Sequence, residues 1–251
     1  MNRLVLTALP GIPLVTAGDD LAALTLAGLE RAGIGLEPGD VLVYASKIVA
    51  KAEGRTRRLD RVRPSPAARE IATVCAKDPR LVELILNESR QVLRLRPGLI
   101  IVEHRLGFVC ANAGIDHSNL ADEEEVVLLP ADPDASAARL RQALAAATGV
   151  APAVLINDSH GRAWRLGTVG VAIGVAGMAP LTDRRGTPDL FGRVLQVTML
   201  GTADEIAAAA SLLQGAAAEA TPIIHIRGAP FVPGEGRLAD LLRPRHLDLF
   251  R

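Results

Sequence analysis

Two aspartates stand where short apolar runs give way to polar turns. Asp116 lies in Ala-Asn-Ala-Gly-Ile-Asp-His-Ser-Asn (111–119), and Asp158 closes Val-Leu-Ile-Asn-Asp (154–158) just before Ser159. A hard divalent cation takes carboxylate, amide and hydroxyl oxygens, so Asp116, Asp158 and Ser159 are candidate ligands for Mg²⁺ or Mn²⁺. The alternative is that both aspartates fold back on their own backbone as Asx-turns. Lys47, Lys51, Arg55, Arg105, Arg162 and Arg165 follow candidate strands or sit in glycine-containing turns. Point-charge lysines and forked arginines in such places suit phosphate oxygens, although a solvated basic face has the same composition. His104, His117 and His160 lie near these clusters and are candidates for proton transfer, but no Ser/His/Asp or Cys/His arrangement can be assembled from their spacing.

The elements that must position these groups follow from the hydrophobic pattern. Arg3 to Leu9 reads as a strand, and after a Pro/Gly turn an Asp-capped helix begins near residue 20, with Leu21, Leu24 and Leu29 close to helical spacing. Val41 to Ser46 is β-rich and runs directly into Lys47, Lys51, Glu53 and Arg55. Ser65 is placed to cap a helix reaching Lys77, and Asp78-Pro79 to start a second one ending near Arg90. Short β-like runs follow between Val92 and Cys110, then a helix from Pro133 to Thr148, a strand over 154–158, a Gly- and Arg-rich segment, a helix over 202–214 and a strand from Pro222 to Arg227. The pattern is that of a mixed α/β chain, α+β in its mixture of sheets, with residues 229–251 as a tail.

Composition narrows the function classes. Hydrophobic residues make up 49% of the 251, ample for a buried core, and 28 basic residues balance 28 acidic ones without a run of one sign. Nothing here draws the protein to nucleic acid or to an anionic membrane. No stretch approaches the roughly 20 apolar residues of a membrane helix, and the N-terminal apolar run is short for a signal peptide, so a cytoplasmic protein is expected. Cys75 and Cys110 have no zinc-like spacing and read as buried thiols. There is no GxxxxGK[ST] motif, and the glycines of Gly-Val-Ala-Ile-Gly-Val-Ala-Gly (170–177) are wrongly spaced for a dinucleotide fingerprint. Neither a P-loop nor a Rossmann fold is expected.

Seven segments, in order, resemble the coenzyme F420-0:L-glutamate ligase family: GIPLVTAGDDLA, SKIVAKAEGR, HRLGFVCANAGIDHSN, NDSHGRAWRLGTVGVAIGVAG, DLFGRVLQVT, ADEIAAAASLL and PIIHIRG. The resemblance spans residues 9 to 228 and implies one glutamyl-ligase-type catalytic region over 1–228, in one or two subdomains. It implies GTP-dependent addition of L-glutamate to the lactyl carboxylate of F420-0, followed by γ-linked extension. By the same resemblance Ile12, Pro13, Leu14, Val15, Ser46, Lys47, Lys51 and Asn119 would contact GTP. Asp116, Asp158 and Ser159 would hold Mn²⁺ or Mg²⁺, two ions in all with K⁺ a further candidate, and Asp116, Asp158 and Lys51 would carry the catalysis. A homodimer is implied as well. One departure is visible: where some members place an amide side chain near a metal, this chain has Ala216, with Gln214 two residues away. A related ligase with another carboxylate or amine substrate, or an inactive deazaflavin- or nucleotide-binding homologue, are the other readings.

Overall fold

The computed structural model describes residues 3–120 and 122–249; Met1, Asn2, Ala121, Phe250 and Arg251, including the end of the expected tail, lie outside the described residues. Strand β1 (Val5–Ala8) leads through the 10–18 loop to α1 (Leu21–Arg31), whose Asp20 cap accepts from the Ala22 and Ala23 amides. Strand β2 (Val41–Ala45) passes without a loop into α2 (Ser46–Ala52). After the short β3 (Thr56–Arg58) come α3 (Pro66–Cys75) and α4 (Pro79–Asn87), each with proline in its first turn and a capping side chain, Ser65 and Asp78. The first stops two residues before the expected Lys77 because Ala76 turns left-handed at φ 50°. The second stops before Arg90 because Ser89 already belongs to β4 (Ser89–Arg96).

Strands β4, β5 (Leu99–His104) and β6 (Val109–Ala111) form an antiparallel three-stranded sheet, and β7 (Glu125–Val127) pairs with β3. Helix α5 (Pro133–Thr148) matches its sequence limits and ends on left-handed Gly149. The expected 154–158 strand is the inner half of β8 (Ala153–Arg162), which forms a long hairpin with β9 (Arg165–Ala176), so the Gly- and Arg-rich segment is sheet rather than loop. Two-residue strands β10 (Thr182–Asp183) and β11 (Met199–Leu200) close an exposed hairpin, followed by α6 (Thr202–Gln214) and β12 (Ile223–Arg227).

The main sheet has the order β1-β12-β2-β8-β9, antiparallel except for the parallel β2/β8 pair. A parallel pair needs a crossover, and here the excursion between β2 and β8 carries the whole three-stranded sheet. Period-two alternation separates the two faces. Leu42, Tyr44, Val154, Ile156 and Ile223 join the larger core with α1 and α5, while Val41, Val43, Leu155, Ile224 and Ile226 pack with Ala203, Ile206, Ala207 and Ala210 of α6. The larger core also takes in Val82, Ile85, Ile100 and Val102, so both sheets share one continuous apolar cluster. The chain is thus a mixed α/β, α+β fold without P-loop or Rossmann topology. Beyond β12, Leu238 is buried in the larger core and its amide donates to Asp134 Oδ2 at 3.0 Å, which fastens the 229–249 segment to the start of α5.

Candidate active site

The site forms where β2 passes into α2 beside the 112–119 loop. Residues Ser46 and Lys47, adjacent in the first turn of α2, each engage one of the two aspartates. Ser46 Oγ donates to Asp158 Oδ1 at 2.7 Å, and Lys47 Nζ lies 2.6 Å from Asp116 Oδ2. The parallel β2/β8 register sets up the first contact, because Ala45 pairs with Asn157 and the residues that follow are Ser46, the first of α2, and Asp158. Asp116 is fixed by its own backbone, which exchanges two hydrogen bonds with Val127 at 3.0 and 2.9 Å. Gly114, at φ 66°, allows the loop to approach so closely that a β-carbon there would lie 2.6 Å from Leu129 Cδ1.

The oxygens around Lys47 form a cradle for a cation. Its ammonium donates to Ser118 Oγ at 2.5 Å and to the Ser118 carbonyl at 3.1 Å in addition to the Asp116 contact. Ser118 also donates from its amide and hydroxyl to the Asp116 carboxylate, at 2.7 and 3.0 Å. Burial pushes the Asp116 carboxyl up, but the hydrogen bonds from Lys47 and Ser118 prevail and hold it below the ordinary carboxylate range. One turn along α2, Lys51 Nζ donates to the Asn119 carbonyl at 2.8 Å, and Asn119 Nδ2 donates to the Ala217 carbonyl at 3.1 Å. Burial and the neighbouring Lys47 charge push the Lys51 ammonium below its ordinary value.

Asp158 meets His160 on its far side. The two share a face of β8, and His160 Nε2 lies 3.1 Å from Asp158 Oδ2, within ion-pair distance but without hydrogen-bond geometry. Phe108 packs on His160 with ring centroids 5.1 Å apart and stacks flat on buried His104 at the same distance. Burial and the charges of Arg55, His160 and Arg105 push His104 down to about 4, and burial with the nearby Asp158 charge pushes the Cys110 thiol up to about 12. Both groups therefore stay neutral, His104 as a core residue and Cys110 as an inert thiol, as the sequence suggests for the cysteine.

Other expected residues fall into place unevenly. Ser159 is exposed and, one residue after Asp158 on the same strand, points to the opposite face; neighbouring Asn157 reaches the Ala207 carbonyl on the α6 side. In the 10–18 loop Ile12 packs against the core, Val15 is buried and Leu14 is 87% exposed, while Gly18 donates to the Ala52 carbonyl at the end of α2. The six basic candidates do not gather. Lys47 and Lys51 are at the site, but Arg55 pairs with Glu88 at 2.7 Å and donates to the Leu129 carbonyl, Arg105 reaches the Asn87 carbonyl, and Arg162 and Arg165 flank the tip of the β8–β9 hairpin. Gln214 donates from Nε2 to the Val43 and Pro222 carbonyls, which holds its side chain against β2 and the segment before β12. Ser118 is the main residue that sequence reasoning left out; its position two residues after Asp116 in an Asx-turn was the available signal.

The donor types fit a hard divalent cation: a carboxylate, a serine hydroxyl and a carbonyl surround the Lys47 ammonium, and a second carboxylate with a second serine hydroxyl pairs at the preceding residue of α2. Among the described residues no three His, Cys, Asp or Glu side chains converge as a ready ligand set. A cation here would therefore draw on hydroxyls, water and substrate phosphates beside the carboxylates, as Mg²⁺ commonly does.

Fold and site together define a mixed α/β protein whose paired lysines and aspartates are grouped around one short helix, outside the common nucleotide folds. The chain belongs to the F420-0:gamma-glutamyl ligase family, whose sequence model matches residues 11–228. It is 49% identical over 248 residues to the coenzyme F420:L-glutamate ligase of Methanothermobacter thermautotrophicus, covering 98% of each chain. It is 45% identical to the protein of that name from Methanopyrus kandleri, over 94% of this chain and 93% of the relative. With the one from Methanocaldococcus jannaschii the identity is 43%, over 86% of both chains. Among the described residues no helix is long and apolar enough to cross a membrane.

Proposed function

We propose that this protein is a GTP-dependent ligase that joins L-glutamate to the lactyl carboxylate of coenzyme F420-0 and extends the product by a γ-linked glutamate. Similarity to coenzyme F420:L-glutamate ligases along almost the whole chain carries this reading. The contacts that successive residues of α2 make, Ser46 with Asp158, Lys47 with Asp116 and Ser118, and Lys51 with Asn119, support it, because these are the types that phosphoryl transfer needs.

The substrate carboxylate oxygen attacks the γ-phosphorus of GTP, and the bond to the bridging oxygen breaks to release GDP. The glutamate amine then attacks the acyl carbon of the resulting acyl phosphate, phosphate departs with the C–O bonding pair, and the ammonium proton passes to solvent. Mn²⁺ or Mg²⁺ held by Asp116 and Asp158, with K⁺ as an accessory, would neutralise phosphate charge, and a second ion on Ser159 would lie on the opposite face of β8 from Asp158. Lys47 and Lys51 orient the triphosphate, Ser46 fixes the Asp158 carboxylate, and Asn119 with the Ile12, Pro13, Leu14 and Val15 loop binds the rest of the nucleotide. Asp116, Asp158 and Lys51 are the catalytic residues of this scheme. The protein would act in the cytoplasm as a homodimer, and Leu190 and Phe191, 98% and 89% exposed at the tip of the β10–β11 hairpin, offer an apolar surface for a second copy.

Mass spectrometry of F420-0 incubated with the protein, L-glutamate, GTP and Mn²⁺ tests the proposal. Growth by glutamyl units only when all four are present is expected. No growth together with GTP binding would replace it by a ligase of other substrates or an inactive binder.

A further inference from the structure

The Lys47 ammonium occupies the oxygen cradle that a divalent cation would use: Asp116 Oδ2 at 2.6 Å, Ser118 Oγ at 2.5 Å and the Ser118 carbonyl at 3.1 Å. Two cations cannot share these oxygens without an anion between them, because like charges at a few ångströms disfavour each other strongly. Lys47 is partly exposed on a long flexible stem, so it can leave the cradle by rotamer change alone. Its neighbour Lys51 is tied to the Asn119 carbonyl, outside the cradle.

We infer that Lys47 is a placeholder for the cation on Asp116 and Ser118, and that its displacement couples divalent-cation binding to nucleotide binding. A cation entering the cradle frees the ammonium for the phosphates, and phosphates that draw Lys47 away empty the cradle for the cation. By linkage each ligand raises the affinity for the other by the same factor, which for such couplings is about 5- to 150-fold. The inference rests on the proposed cation and nucleotide sites and deepens them: Lys47 opposes the cation when no nucleotide is present and supports the nucleotide when the cation is.

The test is Mn²⁺ binding without nucleotide or turnover, followed by the loss of the free-ion electron paramagnetic resonance signal, in wild type, Lys47→Met, Lys51→Met and Asp116→Asn. Lys47→Met is expected to bind Mn²⁺ about tenfold more tightly than wild type, within the usual range of coupling strengths. Lys51→Met removes the same charge yet leaves the cradle filled, so it should change the affinity less than about threefold, and Asp116→Asn should lose binding. Unchanged or weaker binding by Lys47→Met, with Asp116→Asn still losing it, overturns this inference and leaves the cation site standing. Equal tightening in both lysine variants also overturns it, since general charge removal would then be the cause. No saturable binding by wild type or by Lys47→Met removes the cation reading and this inference together.

Discussion

Asp40→Ala is expected to destabilise the protein by about 3 to 5 kcal/mol without touching its chemistry. Asp40 is 1% exposed and accepts from Arg227 Nε at 2.8 Å, Arg227 Nη2 at 2.7 Å and the Glu37 amide at 2.9 Å. Buried His225 brings Nε2 within 2.9 Å of the same carboxylate. Hydrogen bonds to a charged group contribute roughly 1.5 to 3 kcal/mol each, so three would give about 4.5 to 9 kcal/mol if they were additive. Arg227 keeps Glu37 and the Gly35 carbonyl as partners and is partly exposed, which moves the value to the range for breaking a buried ion pair. At about 2 to 4 °C per kcal/mol the melting temperature should fall by roughly 6 to 20 °C. Asp40 precedes β2 and Ser46 follows it, so about 20 Å of strand separates the cluster from the site. Urea titration should show the loss with an unchanged slope, and KM for GTP at 25 °C should stay as in wild type. A loss below about 1 kcal/mol, or a shifted KM at full stability, would refute the reasoning.

Three further outcomes are expected. Ser46→Ala removes the hydroxyl that fixes Asp158 and should lower kcat about 10- to 100-fold, with a melting temperature within about 2 °C of wild type; an unchanged kcat would show that Asp158 is positioned otherwise. Gly114→Ala places a methyl against Leu129 at a positive φ and should cost about 1 to 3 kcal/mol while displacing Asp116, so stability and activity should fall together, and full activity in a stable variant would contradict the close approach. His104 has its folded value lowered to about 4, so its contribution is present above the unfolded value near 6.5 and is lost as pH falls from there through 4. That loss is on the order of 3 kcal/mol, and stability-versus-pH curves for His104→Phe should be flatter over this window; the same slope in the variant would assign the acid loss to other groups.

The sequence by itself determined the elements whose limits are set locally. Helix α5 begins at Pro133 after Asp132 and ends before Gly149, and α6 runs from Thr202 to Gln214, because caps, proline and glycine act within one turn. Asp116, Asp158, Lys47 and Lys51 were legible because charged residues stand out where apolar runs end, and the long ordered resemblance carried the family. Helix α2 was missed although Ile48, Val49 and Ala52 have helical spacing, since its seven residues follow a β-rich run without a break. The β8–β9 hairpin was missed because glycine and arginine read as loop, whereas Gly170 and Gly174 are there to let Ala207 of α6 and Pro133 of α5 approach the strand. Only the tertiary structure decided which charges share the site. The parallel β2/β8 register puts Ser46 beside Asp158, the Asp116–Val127 bridge brings the 112–119 loop over α2, and Arg55 is turned away to partly buried Glu88. The Arg55–Glu88 and Ser46–Asp158 pairings join residues 33 and 112 positions apart, separations at which no local pattern carries information and only packing of the shared core fixes the neighbours.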